Sequence, residues 1–148
     1  MKTISVIVPV YNEAEGIKRF LDTKLLPVVE NLKGYHTEII FVEDGSTDRS
    51  YEILSQYAKK NKSIKLLCFS RNFGKEAALS AGFKYAKGDA AITIDADGQQ
   101  PPKLIPQFIE KWEVGAEVVT GVRDHFTDHG FIQKVGSNMQ RGSFKWQD

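Results

Sequence analysis

Five short apolar runs, alternating with stretches of helical spacing, limit what this chain can fold into more than any other feature. "TISVIVPV" (3–10), "TEIIFVE" (37–43), "SIKLLCF" (63–69), "AAITID" (90–95) and "EVVTGV" (117–122) are nearly continuous in apolar residues. Parallel strands covered on both faces read this way, whereas strands with one wet face alternate. Between them, "RSYEILSQYAKK" repeats apolar positions at Tyr51, Leu54, Tyr57 and Ala58, and "KEAALSAGFKYA" at Ala78, Ala81, Gly82 and Tyr85. Steps of three and four place each set on one helix face. The small residues of the second helix predict that it sits close to a sheet. Pro27 falls inside a first helical stretch, about 14–32, and is expected to break or kink it.

Parallel neighbours need crossover helices, so the order of elements predicts an α/β three-layer sandwich with a mostly parallel sheet. A length of 148 residues suits one domain. The pattern holds over residues 1–122 and fades over 123–148, where an irregular tail of loop, frayed helix or partial disorder is expected. With 20 basic and 19 acidic side chains the molecule has no strong field to recruit nucleic acid or an anionic membrane, so a charged ligand must be held by local groups. Cys68 is the only cysteine, which excludes an internal disulfide and points to a reducing compartment; its apolar neighbours suggest a core position. No stretch approaches the ~20 apolar residues of a membrane helix. Glu13 and Glu15 follow the first apolar run without a small-residue cleavage site, so no secretory signal is expected.

In open parallel sheets, ligands bind beyond the carboxyl ends of the strands. Here those ends read "PVYNE", "EDGSTD", "SRNFGK", "DADGQQ" and "GVRD", which gathers acids, bases, amides and glycines at one edge. If residues 95–99 stay extended, Asp95, Asp97 and Gln99 face one side, and Pro101 and Pro102 hold the residues before them extended. Oxygen donors without Cys or His suit Mg²⁺ or Mn²⁺ better than zinc, and such ions commonly combine one or two carboxylates with substrate phosphates. The plainer alternative is an Asp-Gly turn with solvated side chains, which "DAD" alone would favour.

The other strand ends tilt the balance. In "EDGSTDRS", Gly45 permits a tight turn and Ser46, Thr47 or Asp48 can cap the next helix, which leaves Glu43 and Asp44 without an evident role. "RNFGKE" puts Arg71 and Lys75 beside a helix start, where amides and cations can meet an anion. It is not a Walker loop, since Phe69 stands where the first glycine belongs, and GxGxxG is absent after the first strand. His125 and His129, four apart in "DHFTDH", are read as a polar loop before a metal site.

"VIVPVYNE", "VEDGSTDRS", "SRNFGKEAALSAGF" and "ITIDADGQQPP" together resemble, in order and spacing, family 2 glycosyltransferases of the GT-A fold over residues 4 to about 123. The resemblance is nearest to polyprenyl-phosphate sugar transferases of the dolichyl-phosphate mannose synthase and bactoprenol glucosyltransferase type. It implies an inverting, Mg²⁺- or Mn²⁺-dependent transfer of a sugar from a nucleotide donor, such as UDP-glucose or GDP-mannose, to a polyprenyl phosphate. Pro9, Tyr11, Glu13 and Asp44 would line the base and ribose, and Arg71 and Lys75 would lie near the nucleotide or the reacting phosphates. Asp95 and Asp97 would form the DxD motif, with Asp97 and Gln99 as metal ligands and Asp95 serving ribose or metal; Arg123 would meet the acceptor phosphate. Relatives of this type continue well beyond this length, so an incomplete acceptor side, supplied by a second copy or a partner chain, is expected, at the cytoplasmic face of a membrane. Two other readings stand beside this one: a nucleotide-sugar-binding remnant without turnover, and a receiver-type signalling domain.

Overall fold

The computed structural model describes residues 1–123, 132–135 and 141–146, with side chains described through Glu117 and at Val119. The chain divides into two compact units, Met1–Lys103 and Leu104–Asp148, a boundary earlier than the fading of the sequence pattern suggests.

The first unit is built on four parallel strands, β1 (Lys2–Val10), β2 (Tyr35–Glu43), β3 (Ile64–Cys68) and β4 (Ala90–Thr93), in the order β3-β2-β1-β4. The two long strands are central, in the register Val6↔Ile39, Ile7↔Ile40 and Val8↔Phe41. Ile4, Val6, Ile7, Val8, Ile39, Ile40, Phe41 and Val42 are all at most 1% exposed. Their lack of alternation follows from burial on both faces, and each such side chain contributes about 1.5–3 kcal/mol. Cys68 departs from expectation: it ends β3, which among the described residues has a neighbouring strand on one side only, and is exposed.

The connections set the layers. From β1 to β2 to β3 the chain moves one way across the sheet, and from β3 to β4 it returns to the far side of β1. Right-handed crossovers place the helices of the outward path on one face and the returning helix on the other. The outward path carries α1 (Ile17–Phe20), a π-helical turn (Leu21–Leu25), α2 (Leu26–Glu30) and α3 (Ser50–Lys60); the return carries α4 (Lys75–Tyr85). Pro27 does not end its helical stretch, since α1, the π-helical turn and α2 follow one another without a gap. Its ring would meet the Thr23 carbonyl in a regular turn, and the chain widens instead, with the Leu26 N–H reaching back to the Leu21 carbonyl. Ile17, Phe20, Leu21, Leu25 and Val29 all stay buried through the adjustment.

Helix α4 packs on β1 and β2, with Ala78 against Ile40 and Val42. A Cβ on Gly82 would lie 2.4 Å from Ile7 Cγ2, so the close seating read from its small residues is real. Tyr85, by contrast, is exposed, as is Tyr51 on α3.

A polar network closes the opposite end of the sheet from the strand termini discussed below. Buried Glu38 accepts hydrogen bonds from Ser5 Oγ (2.6 Å) and the Lys87 N–H (2.7 Å), and pairs with Lys65. Ser5 Oγ in turn accepts from the Gly88 N–H at 2.9 Å. A side chain at Gly88 would collide with this group, 2.6 Å from Ser5 Oγ. Burial alone would raise the Glu38 carboxyl; the hydrogen bonds from Lys65, Ser5 and Lys87 outweigh it and bring the pKa down from 4.5 to about 2.

In the second unit, α5 (Ile105–Glu113) is followed by β5 (Val118–Arg123), which pairs parallel with β7 (Arg141–Trp146); β6 (Ile132–Val135) pairs antiparallel with β7. Leu104, Phe108 and Val119 pack together. The fifth apolar run is thus a strand, but of a separate three-stranded sheet in the order β5-β7-β6. Residues 132–135 and 141–146 are strands where sequence periodicity indicated none. The register of β7 with β5, and of β6 with β7, comes from backbone pairing across sequence, which short segments such as "RGSFKW" do not advertise. His125 and His129 lie outside the described residues.

Candidate active site

Beyond β1 the chain turns at Asn12, whose φ of 51° is the left-handed conformation that asparagine tolerates. Its Oδ1 accepts the Thr47 N–H (2.8 Å), and its own N–H donates to Ser46 Oγ (2.9 Å). The Glu13 N–H donates to Ser50 Oγ (2.9 Å) and the Ala14 N–H to Asp48 Oδ2 (3.0 Å). The loops after β1 and β2 are therefore laced together. Asp48 also accepts from the Ser50 N–H (2.9 Å) at the start of α3, but the cap position itself is held by Arg49 without a side-chain bond, so the cap expected from Ser46, Thr47 or Asp48 is not formed, and Ser46 and Thr47 serve the neighbouring loop. Burial opposes ionisation of Asp48, but the bonds from Ser50 and Ala14 prevail and hold its carboxyl below the usual range.

Glu43 and Asp44, unexplained by sequence, organise the turn. Glu43 Oε1 accepts the Ser46 N–H at 2.6 Å. Asp44, only 3% exposed, takes the Phe73 N–H on Oδ1 (2.7 Å) and the Gly74 N–H and Asn72 Nδ2 on Oδ2 (3.0 and 3.2 Å). Gly45 makes this docking possible: its φ is 69°, and a Cβ there would lie 2.2 Å from the Arg71 carbonyl carbon. The clamped loop delivers Gly74, φ 96°, as the lead-in to α4, with Lys75 first in the helix. Lys75 Nζ reaches Asp95 Oδ1 at 2.6 Å.

The segment after β4 is not extended. The chain turns over residues 95–98: the Gly98 N–H faces the Asp95 carbonyl at 3.4 Å, Gly98 has φ 80°, and Asp97 Oδ1 accepts the Gln99 N–H at 2.9 Å. The prolines restrain only residues 100 and 101, whereas aspartate bonding the amide two residues on, with glycine between, favours the turn. Asp95 and Asp97 nevertheless line one cleft, around the buried Ala96. Gln99 is outside that lining, so three oxygen side chains do not converge as the extended reading required.

The cleft, about 230 Å³, is lined by Pro9 and Val10 at the end of β1 and Tyr11 and Glu13 beyond it, by Asp44 after β2, by Asn72, Gly74 and Lys75 at the start of α4, and by Asp95, Ala96 and Asp97 after β4. Seven of the residues singled out from sequence thus meet: Pro9, Tyr11, Glu13, Asp44, Lys75, Asp95 and Asp97. Arg71 does not line it; its guanidinium stacks on the Phe73 ring, 4.0 Å from the centroid. Arg123 ends β5 in the second unit, and its side chain is outside the described set. Asn72 was missed by sequence reasoning, which weighed only the cations of its loop. The cleft opens at the carboxyl ends of β1 and β4, between which the order of connection across the sheet reverses, the switch point at which open α/β sheets bind ligands. Burial raises the Glu13 carboxyl, and repulsion from Asp97 and then Asp48 raises it further, so the cleft concentrates negative charge.

That charge suits a hard cation, and the donors are oxygens only. Asp95 and Asp97 supply two carboxylates, and among the described residues no group of three or more His, Cys, Asp or Glu side chains could hold an ion alone. A Mg²⁺ or Mn²⁺ ion completed by substrate phosphates fits such a set.

The family Glycosyl transferase family 2 matches residues 5–147. The chain is 47% identical over 131 residues to a prophage bactoprenol glucosyl transferase homolog of Escherichia coli (strain K12), covering 88% of this chain and 42% of that protein. It is 40% identical over 133 residues to an undecaprenyl-phosphate 4-deoxy-4-formamido-L-arabinose transferase of Edwardsiella ictaluri, covering 89% and 40%. It therefore spans about two fifths of the length of these relatives. Among solved structures, the mannosyltransferase PcManGT from Pyrobaculum calidifontis, in complex with GDP-Man and Mn²⁺, superposes with a TM-score of 0.67 at 25% identity, over 82% of this chain and 35% of that one. The expected GT-A architecture is thereby confirmed, and the chain belongs to glycosyl transferase family 2.

Proposed function

We propose that the cleft binds a nucleotide sugar and that this chain is the donor-binding part of an inverting glycosyltransferase that passes the sugar to a polyprenyl phosphate at the cytoplasmic face of a membrane. The observation that carries the reading is the meeting of Asp95, Asp97, Glu13 and Lys75 in one cleft at the switch point between β1 and β4. The bactoprenol and undecaprenyl-phosphate relatives support the acceptor class, and GDP-Man and Mn²⁺ in the mannosyltransferase complex support the donor and ion. Among the described residues no helix is long and apolar enough to cross a membrane.

Pro9, Tyr11, Glu13 and Asp44 flank the base and ribose, and Asp44 in addition fixes the loop that presents Asn72 and Lys75. Asp95 and Asp97 hold the divalent ion, with Gln99 brought in if the turn opens. The ion's chemistry is to neutralise charge growing on the departing diphosphate as the sugar gains oxocarbenium character. Lys75, and Arg71 once released from Phe73, bring further positive charge to the phosphates. The acceptor phosphate is anionic near neutral pH and attacks in line without a strong base, so the anomeric configuration inverts.

The test is calorimetric titration of UDP-glucose and GDP-mannose, with and without Mn²⁺, into wild type and Asp97→Ala. Binding of one donor that depends on the metal and disappears in Asp97→Ala is expected. Failure of both donors to bind wild type refutes the reading.

A further inference from the structure

The contact between Lys75 and Asp95 is a charged pair with little to offer stability. Lys75 is 59% exposed and Asp95 26%, and pairs this open to water are screened and nearly neutral in energy. Yet the ammonium is delivered with care: Asp44 clamps the Phe73 and Gly74 amides, Gly74 takes φ 96°, and Lys75 starts α4 with Nζ 2.6 Å from Asp95 Oδ1. Lys75 and Asp95 both line the cleft, and Asp97 stands two residues away on the same turn. A divalent ion placed on these carboxylates would compete with the ammonium for Asp95 and be repelled by it.

From this geometry we propose that Lys75 is the resident counter-ion of Asp95, displaced by the ligand, so that the divalent ion and the diphosphate enter the cleft together and not separately. The inference rests on the donor-site reading above and adds an order of events to it. Before binding, Lys75 occupies Asp95 and keeps the ion's affinity low. A nucleoside diphosphate offers the ammonium a more strongly charged partner, Lys75 moves to it, and Asp95 is released to the ion. By linkage, whatever factor the nucleotide adds to ion affinity the ion adds to nucleotide affinity.

The experiment measures Mn²⁺ binding by electron paramagnetic resonance of the free ion, first without nucleotide and then with UDP or GDP, for wild type, Lys75→Met and Lys75→Arg. Lys75→Met keeps the stem and removes the charge; it is expected to bind Mn²⁺ alone about tenfold tighter than wild type. It is also expected to bind UDP or GDP more weakly without metal, and to show a smaller factor between the two ligands. Lys75→Arg keeps the charge and is expected to follow wild type, with circular dichroism confirming that all three fold. Mn²⁺ affinity in Lys75→Met that is equal to or weaker than in wild type, or no Mn²⁺ bound by either, overturns the proposal. Tighter Mn²⁺ in Lys75→Met with no nucleotide bound by wild type upholds the competition for Asp95 and refutes the donor reading instead.

Discussion

Replacing Glu38 by glutamine isolates a stabilising carboxylate that lies at the far end of the sheet from the cleft. The Glu38 carboxyl titrates at about 2 in the folded chain against an ordinary 4.5. A depressed carboxyl favours folding above its unfolded pKa and loses that contribution as pH falls toward the folded one. The gap corresponds to about 3 kcal/mol at neutral pH, fully present above pH 5 and reduced to less than half by pH 3. The figure applies because the Glu38 side chain is 9% exposed and held by Ser5 and the Lys87 amide as well as by Lys65. Glu38→Gln retains an acceptor oxygen for Ser5 and Lys87 but carries no charge to titrate. Urea unfolding followed by circular dichroism at several pH values should show wild type more stable at pH 7, by an amount that shrinks by roughly 2 kcal/mol at pH 3. Other carboxylates titrate equally in both proteins and cancel from the difference. A difference that stays constant from pH 7 to pH 3 would refute the assignment of the depressed carboxyl to Glu38.

Gly82→Ala raises helix propensity by up to about 1 kcal/mol, yet should destabilise by about 1–3 kcal/mol net, because the new methyl meets Ile7 Cγ2 at 2.4 Å in a close-packed core; thermal or urea unfolding reads the sign. Asp44→Asn leaves one acceptor oxygen for three donors, so it should cost about 1–3 kcal/mol and speed amide exchange at Phe73 and Gly74 while leaving the Glu38 end of the sheet protected. Asp97→Asn should lower the Glu13 pKa, since it removes the carboxylate that repels Glu13 most; carboxyl chemical shifts through a pH titration report the direction.

The parallel core was legible because its strands are apolar without alternation, and the cleft because chemistry-bearing residues gather at strand ends. Asp44 was visible as a residue but its task was not. A carboxylate that grips the amides of Phe73 and Gly74 does so through backbone folded from elsewhere in the chain, and amide positions have no side-chain signature. The turn at Asp97 was misjudged for a different reason: two competing local preferences, proline-held extension and an Asp-Gly turn, were both present, and the hydrogen bond to the Gln99 N–H decides between them. Exposed Cys68 shows the limit of reading burial from apolar neighbours, since edge position is a property of strand order. The strands at 132–135 and 141–146 depend on pairing with one another and with β5, so no single segment announces them.

The placement of β1 between β2 and β4 has a consequence for how the chain folds as it is made. The partner on one side of β1 follows within 43 residues, but the other, β4, is not complete until residue 93. Once β3 has emerged, translation at ~5–20 residues per second needs about 1–5 s more to supply β4. During that interval β1–β2–β3 can pair while Ile4 to Ile7, later the seam with β4, present an unpaired apolar edge. Until β4 covers it, this edge is open to pairing with another chain.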